Sequence, residues 1–370
     1  MSRFLKERLR PLEAYTTGEQ PKEKILIKLN TNESPYPPGQ GVLQAVNSES
    51  LKNLNLYPSP DQGELKSLIA QWMTKEGEAN FSSENIFVSN GSDDIINFAF
   101  MAFAGDGVQA WYPDITYGFY KVFAQSQGVE SRVIPLDEDF RINIDDYGTG
   151  TKERRFIVIA NPNAPTGIAL SRDEIEEIVK ANSDSAVLVD EAYIDFGGES
   201  AIGLVNKYDN LLISRTFSKF ASLAGARLGF AVGNSELISD LEKIKFSTNP
   251  YSINRMTEAV GIAAVKEIEY YKSNCDKIID TRNDVEGELK GMGFKVLPGK
   301  ANFLFVGTGS QANSESPWSK VSGEELLSLL REKGILVRWF NGERTKDFLR
   351  ITIGTPEEMK NLIEALREIG

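Results

Sequence analysis

Six short apolar runs set the strongest limit on how this chain folds: residues 85–89 (NIFVS), 108–112 (VQAWY), 156–160 (FIVIA), 186–189 (AVLV), 210–214 (NLLIS) and 228–232 (LGFAV). Most are apolar at successive positions, not at alternate ones, which suits strands of a sheet covered on both faces. Helical periodicity separates several of them. One stretch runs from about Leu65 to Lys75, another over 93–104, and a third over 171–182 (SRDEIEEIVKAN), where Ser171 and Glu174 have the spacing of a capping box. Alternating strands and helices imply an α/β fold with a mostly parallel sheet sandwiched by helices.

Beyond Arg255 the pattern changes. Residues 255–290 read as one long or broken helix. Short strands follow at 294–297 and 302–306, then a helix at 323–333, strands near 335–339 and 348–353, and a last helix from Pro356. This is a second, smaller α+β unit. The densest proline and glycine cluster, NESPYPPGQG at 32–41, marks an irregular arm. For 370 residues the length prior is two to three domains. The expected division is an N-terminal arm over 1–44, a large domain over 45–265 and a small C-terminal domain over 266–370. The border falls inside helix and should be stiff.

Composition narrows the chemistry. The chain has no histidine, which removes Ser-His-Asp and Cys-His catalysis and histidine-ligated zinc. Its one cysteine, Cys275, excludes an internal disulfide and cysteine-only zinc sites, and no metal site is expected. A formal net charge of −12 argues against a protein that coats nucleic acid or anionic lipid. The N-terminal segment is polar and charged, and no apolar run approaches a membrane span, so a soluble cytoplasmic protein is expected. Any proton transfer must use lysine, carboxylate, tyrosine or a cofactor. Nucleotide signatures fail: GFKVLPGK at 293–300 has the wrong glycine spacing for a phosphate loop, and no GxGxxG follows the first strand.

Ligands of open parallel sheets sit at the carboxyl ends of the strands. Here those ends carry NPNAPTG (161–167), DEAY (190–193) and RTFSK (215–219). Lys219 lies among small hydroxyl residues, with Arg227 eight residues on. A pocket lysine can act as nucleophile or base, and hydroxyls with an arginine make a phosphate cradle. A second cradle is Asn90-Gly91-Ser92-Asp93, which follows a strand and opens a helix. One lysine, two phosphate half-sites and an acid, Asp190, at a strand end suggest pyridoxal phosphate. Lys219 would hold the aldehyde as a Schiff base, and Asp190 would pair with the pyridinium nitrogen.

Several segments carry a resemblance over nearly the whole chain. They are IKLNTNESPYPP (27–38), LYPSPDQGEL (56–65), VSNGSDDI (88–95), YPDITYGFY (112–120), the 161–167 turn, VDEAY (189–193), SRTFSKFASLAGARLG (214–229) and LRITIGTP (349–356). In these the chain resembles the fold-type I pyridoxal phosphate aminotransferases, and among them the histidinol-phosphate branch. The resemblance implies pyridoxal 5′-phosphate on Lys219, with Asp190 and Tyr193 completing the catalytic group and Tyr193 bonding the ring 3′ oxygen. It further implies Thr216, Ser218 and Arg227 on the phosphate, with Ser92 and Asp93 at the helix start, and Tyr117 stacked on the ring. Tyr57 would reach the site of a neighbouring subunit, implying a homodimer. Tyr15 and Asn32 would line the substrate pocket.

The family usually has asparagine before Pro-Thr-Gly, and Ala164 stands there instead. Asn161 or Asn163 is expected to supply the amide, with Asn161 preferred; the alternative is Tyr193 as the only donor. Arg338 and Arg350 lie inside short strands, where a charge needs a partner. The partner is either an internal acid or a substrate anion. In the histidinol-phosphate branch both arginines would hold the substrate's phosphate. The implied reaction exchanges histidinol phosphate and 2-oxoglutarate for imidazole-acetol phosphate and glutamate. Alternatives are an aromatic or other amino-acid aminotransferase or a threonine-phosphate decarboxylase of this fold, and more remotely a cofactor-binding regulatory protein without catalysis.

Overall fold

The structure is a computed structural model that describes residues 2–21, 27–46, 51–148 and 153–370. The arm is less irregular than its prolines suggest. It contains strand β1 (Ile27–Lys28) and helix α1 (Gln40–Ala45). The large unit then runs α2 (Gly63–Gly77), β2 (Ile86–Ser89), α3 (Ser92–Phe103), β3 (Gln109–Pro113), α4 (Phe119–Gln127), β4 (Ser131–Ile134), β5 (Arg155–Ala160), α5 (Arg172–Ala181), β6 (Ala186–Asp190), β7 (Leu211–Thr216) and β8 (Gly229–Gly233). Helices α6 (Ser235–Thr248), α7 (Arg255–Lys266) and α8 (Ile268–Gly291) follow; the long or broken helix expected over 255–290 is broken, at Glu267. The last part is β9 (Lys295–Val296), β10 (Phe303–Gly307), α9 (Gly323–Glu332), β11 (Ile335–Leu336), β12 (Arg338–Trp339), β13 (Phe348–Thr352) and α10 (Pro356–Ile369).

Seven strands form the large sheet in the order β2-β8-β7-β6-β5-β3-β4. Strands β3 to β7 pair parallel with one another, and β8 runs antiparallel between β7 and β2. Every residue of β2, β5, β7 and β8 is buried, as the continuous apolar runs require. Fully burying one such Val, Ile or Leu side chain contributes about 1.5–3 kcal/mol. The capping box at Ser171 and Glu174 starts α5 as its spacing implies. Strand β4 has no apolar run to announce it: it is a sheet edge, and its middle residues Arg132 and Val133 are exposed.

The run at 335–339 serves two sheets. Its first half, β11, pairs parallel with β1 of the arm, and its second half, β12, pairs antiparallel with β13. The β13 strand is also bonded to β10, giving the four-stranded order β12-β13-β10-β9. The arm is thereby stitched to the C-terminal unit by backbone bonds.

A buried ion network ties β6 to β7 just behind their carboxyl ends. Arg215 donates Nε to Glu191 Oε2 at 3.0 Å and an amino group to Ser200 Oγ at 2.8 Å, and it also bonds Glu76. Glu191 accepts further from the backbone N–H of Ala201 at 2.7 Å. Arg215 and Glu191 are both buried. Removing one partner of such a pair leaves an uncompensated charge, a loss of about 3–5 kcal/mol. Arg215→Met is therefore expected to lower the denaturant midpoint strongly, measured by urea unfolding. A midpoint equal to that of the parent chain means the network contributes nothing.

Candidate active site

The parallel strands deliver their carboxyl ends to one edge, and β8, being antiparallel, begins at that same edge. Arg227, two residues before β8, is therefore brought beside the end of β7 and the start of α3. One cavity at this edge is lined by Ser92, Asp93, Tyr117, Asp190, Tyr193, Thr216, Ser218, Lys219 and Arg227 from the large unit. Tyr15 and Asn32 reach it from the arm, and Arg338 and Arg350 from the small sheet. Thirteen of the fifteen expected site residues thus meet. Asn161 and Tyr57 do not line it.

Lys219 is the centre of the cavity. Its Nζ donates to the Thr31 carbonyl at 3.2 Å and stands 5.9 Å from the Tyr193 ring centre. Burial, helped by the Arg350 charge, pulls its ammonium down to about 8. Asp190 ends β6. Burial pushes its carboxyl up to about 7, against a bond from Tyr120 Oη to Oδ2 at 2.9 Å. Its Oδ1 is buried without a hydrogen-bond partner among the described residues. Buried acceptors rarely stay unpaired, and an empty one aimed at a cavity asks for a donor.

The anion cradle lies at the start of α3. Gly91 has φ +84, and a Cβ there would meet an Arg227 amino nitrogen at 2.7 Å. A Cβ on Gly229 would meet the Ser92 backbone nitrogen at 2.6 Å. Only glycine lets β8 approach the helix start so closely. Arg227 is held by Asp93 Oδ2 at 2.9 Å and reaches Ser218 Oγ at 3.5 Å. Tyr117 Oη donates to Asp93 Oδ1 at 2.7 Å, so one carboxylate orients both the guanidinium and the aromatic ring.

The two arginines of the small sheet are cross-strand partners, Arg338 on β12 directly opposite Arg350 on β13. No internal acid is paired with either among the described salt bridges. Arg338 donates to the carbonyls of Thr16 and Thr17, at 3.0 and 3.1 Å, and Arg350 to that of Asn30 at 3.0 Å. The Arg350 Nε is buried without a partner among the described residues. Phe340, which also lines the cavity, lies 5.7 Å from both guanidinium carbons.

One expectation is corrected. Asn161 does not face the cavity: its amide closes on the backbone of Leu170, accepting from N–H at 2.8 Å and donating to the carbonyl at 3.1 Å. Asn163 is likewise engaged, with Ile115, Thr116 and Thr166. The cavity wall there is the Ala164 side chain. Asn32 lines the cavity, but its amide is spent on Tyr193 and Thr352. Tyr57 is 77% exposed and stacks on Tyr251 with ring centres 4.6 Å apart. Sequence reading passed over Phe340, the Thr31 carbonyl and the Tyr120 support of Asp190. The charged neighbours Glu191 and Arg215, adjoining Asp190 and Thr216, were the available signal for the network behind the site.

Fold and cavity define an aminotransferase: the chain belongs to the class I and II aminotransferase family, whose profile matches residues 24–366. Among its relatives, the histidinol-phosphate aminotransferase of Brachyspira hyodysenteriae is 46% identical over 370 residues, covering 100% of this chain and 99% of that protein. The enzyme of the same description from Acinetobacter baumannii is 44% identical over 369 residues, 99% of this chain and 97% of that protein. The solved structure of the Clostridium acetobutylicum histidinol-phosphate aminotransferase superposes with a TM-score of 0.80 at 25% identity, covering 93% of this chain and 99% of that one. A Sinorhizobium meliloti structure, solved in complex with pyridoxal-5′-phosphate, gives 0.80 at 22% identity, covering 94% and 92%.

The residues present fit pyridoxal 5′-phosphate. The unpaired Asp190 Oδ1 suits a protonated ring nitrogen, Lys219 suits the aldehyde, and the Gly91–Arg227 cradle suits the phosphate. The nucleophilic form of Lys219 is the neutral amine, and its fraction grows with pH up to the ammonium's titration. Reconstitution of the cofactor-free protein with pyridoxal phosphate should therefore quicken by about tenfold per pH unit below pH 8 and level off above it. Stopped-flow growth of the visible band measures this, and a rate still climbing at pH 10 rejects a depressed Lys219.

Proposed function

We propose that the protein exchanges an amino group between histidinol phosphate and 2-oxoglutarate, with imidazole-acetol phosphate and glutamate as the other pair. The observation that carries this reading is the juxtaposition of Arg338 and Arg350 across two antiparallel strands in the cavity that holds Lys219. Like charges directly opposite destabilise a sheet by up to about 1 kcal/mol. A dianionic phosphate turns that repulsion into two charge-assisted, bidentate contacts. An amine whose anionic end is a phosphate fits two guanidinium groups better than one with a single carboxylate. The names of the relatives support the same substrate.

Pyridoxal phosphate, when bound, supplies an electron sink for the carbon that bears the transferred nitrogen. The chain's own residues do the rest. Lys219 Nζ would anchor the cofactor and then carry the proton from the amine-bearing carbon of the substrate to the cofactor carbon that held the aldehyde, a task suited to an amine tuned close to neutrality. Asp190 Oδ1 would accept from the ring nitrogen, while Tyr120 holds Oδ2 and fixes the carboxylate plane. Ser92, the Asp93 backbone N–H at the helix start, Thr216, Ser218 and Arg227 would hold the cofactor phosphate, with Tyr117 against the ring. Tyr193 would donate to the 3′ oxygen. Tyr15 stacks on Phe119 at 4.1 Å between centroids, and with Phe340 it offers an apolar wall beside the arginines.

The working unit in this reading is a homodimer. Leu51, Leu54, Leu56, Tyr57 and Tyr251 are all exposed large apolar side chains. Arg255 bonds the Leu56 and Tyr57 carbonyls, so the segment is held out in a defined shape. A second copy covering it would bring Tyr57 to the partner's cofactor phosphate.

Purified protein should be yellow and should turn over histidinol phosphate with 2-oxoglutarate, and Lys219→Ala should lose both colour and activity. A colourless parent protein that pyridoxal phosphate cannot reconstitute rejects the reading. Arg338→Ala should cut kcat/KM for histidinol phosphate by about 10–100-fold, the loss of a charged hydrogen bond, and do far less to an unphosphorylated amino acid. Equal losses on both substrates exclude the phosphate role. Light scattering should report the mass of two chains, and Tyr57→Ala should weaken pyridoxal phosphate binding about tenfold; a monomer with unchanged affinity removes the shared site.

A further inference from the structure

The wall beside Tyr193 offers a methyl group where an amide is expected. Ala164 lines the cavity, and the amides of Asn161 and Asn163 are both consumed within their own loop. The Tyr193 hydroxyl is the donor left on that wall, and the direction of its single proton then matters. A phenol bonded by an acceptor elsewhere would point its proton away from the cavity.

Asn32 settles that direction. Its backbone N–H donates to Thr352 Oγ1 at 3.0 Å, and the same hydroxyl donates to Asn32 Oδ1 at 3.0 Å. Among the described residues the Thr352 hydroxyl has no other acceptor for its proton, so the amide oxygen faces it. The amide nitrogen then faces Tyr193 and donates to its oxygen at 2.9 Å. The assignment of amide oxygen and nitrogen follows from the network itself. Asn302 Nδ2 donates to the Asn32 carbonyl at 3.0 Å, and Asn32 holds a left-handed φ of +56. Both Asn32 and Thr352 are buried. Thr352 sits two residues after Arg350 on β13, on the same face of the small sheet.

We propose that Asn32 and Thr352 are positioning residues that set the Tyr193 hydroxyl as a one-way donor into the cavity, taking over the duty that the amide missing at Ala164 would have shared. The inference rests on the cofactor reading above, in which the 3′ oxygen of pyridoxal phosphate lies beside Tyr193. Asn32 then acts through Tyr193 and not on the amine substrate.

A donor at the 3′ oxygen stabilises negative charge there and loosens the hold of the neighbouring Lys219-linked nitrogen on its proton. The charges facing Lys219, from Arg350, Glu33, Asp93 and Arg227, and those facing Tyr193, from Arg350 and Asp190 with the Tyr15 phenol, stay in place when Asn32 or Thr352 is changed.

The test is the pH midpoint of the visible band of the bound cofactor, followed by absorbance in the holoenzyme. Asn32→Ala and Thr352→Val should each raise the midpoint by about half to one pH unit. Thr352→Ser, which keeps the hydroxyl, should restore it. Ala164→Asn, which adds a second donor, should lower it. In a Tyr193→Phe background Asn32→Ala should cause no further shift, because its effect runs through that hydroxyl. Unmoved midpoints in coloured Asn32→Ala and Thr352→Val proteins overturn the proposal. So does an Asn32→Ala protein that only raises KM for the amine, which would make Asn32 a substrate contact. If Asn32→Ala does not fold, the Thr352→Val and Thr352→Ser pair decides alone. A parent protein with no visible band refutes the cofactor reading itself, an outcome separate from all of these.

Discussion

An acid and an amine drawn together into one cavity are what the rest of this structure serves. Burial drives Asp190 up to about 7 and Lys219 down to about 8, so both sit within reach of neutral pH. Neither is in an ion pair among the described residues. Asp190 leaves an oxygen unpaired, and Lys219 rests on a backbone carbonyl. Such groups are tolerable only where the surroundings hold them rigidly, because a desolvated charge that can move finds water or a counter-ion instead. The Arg215–Glu191 network supplies that rigidity directly behind the strand ends that carry Asp190 and Thr216.

The site is a junction of three parts. The large sheet contributes the lysine, the acid and the anion cradle, the small sheet contributes the arginine pair, and the arm lies between them. The arm joins the small sheet through β1 and β11 and offers carbonyls to Arg338 and Arg350. Asn32 is bonded at once to Tyr193 of the large unit and to Thr352 and Asn302 of the small one. One buried amide therefore connects the cofactor side of the cavity to the substrate side.

The large unit was readable because its strands announce themselves and their ends share an edge. Lys219, Asp190, Arg227 and Ser92 follow from that rule without any measured contact. The rule fails for side chains that satisfy their own loop. Asn161 stands at a strand end like Asp190, yet it bonds Leu170 nine residues on, and nothing in NPNAPTG distinguishes an amide turned inward from one turned to the ligand. Strand β4 escaped notice because an edge strand needs no apolar face on its outer side. The run at 335–339 looked like one strand because alternation cannot reveal that two halves bond to different sheets.

The sequence by itself determined the fold class, the cofactor chemistry and most of the residues around it. Local apolar patterning selects strands and helices, and parallel order then forces distant strand ends together. Tertiary structure alone decided the register that sets Arg338 opposite Arg350, the engagement of Asn161 away from the site, and the direction of the proton on Tyr193. The last of these rests on contacts between residues 320 positions apart. A hydrogen bond is made or lost within a few tenths of an ångström, which no pattern along the chain encodes.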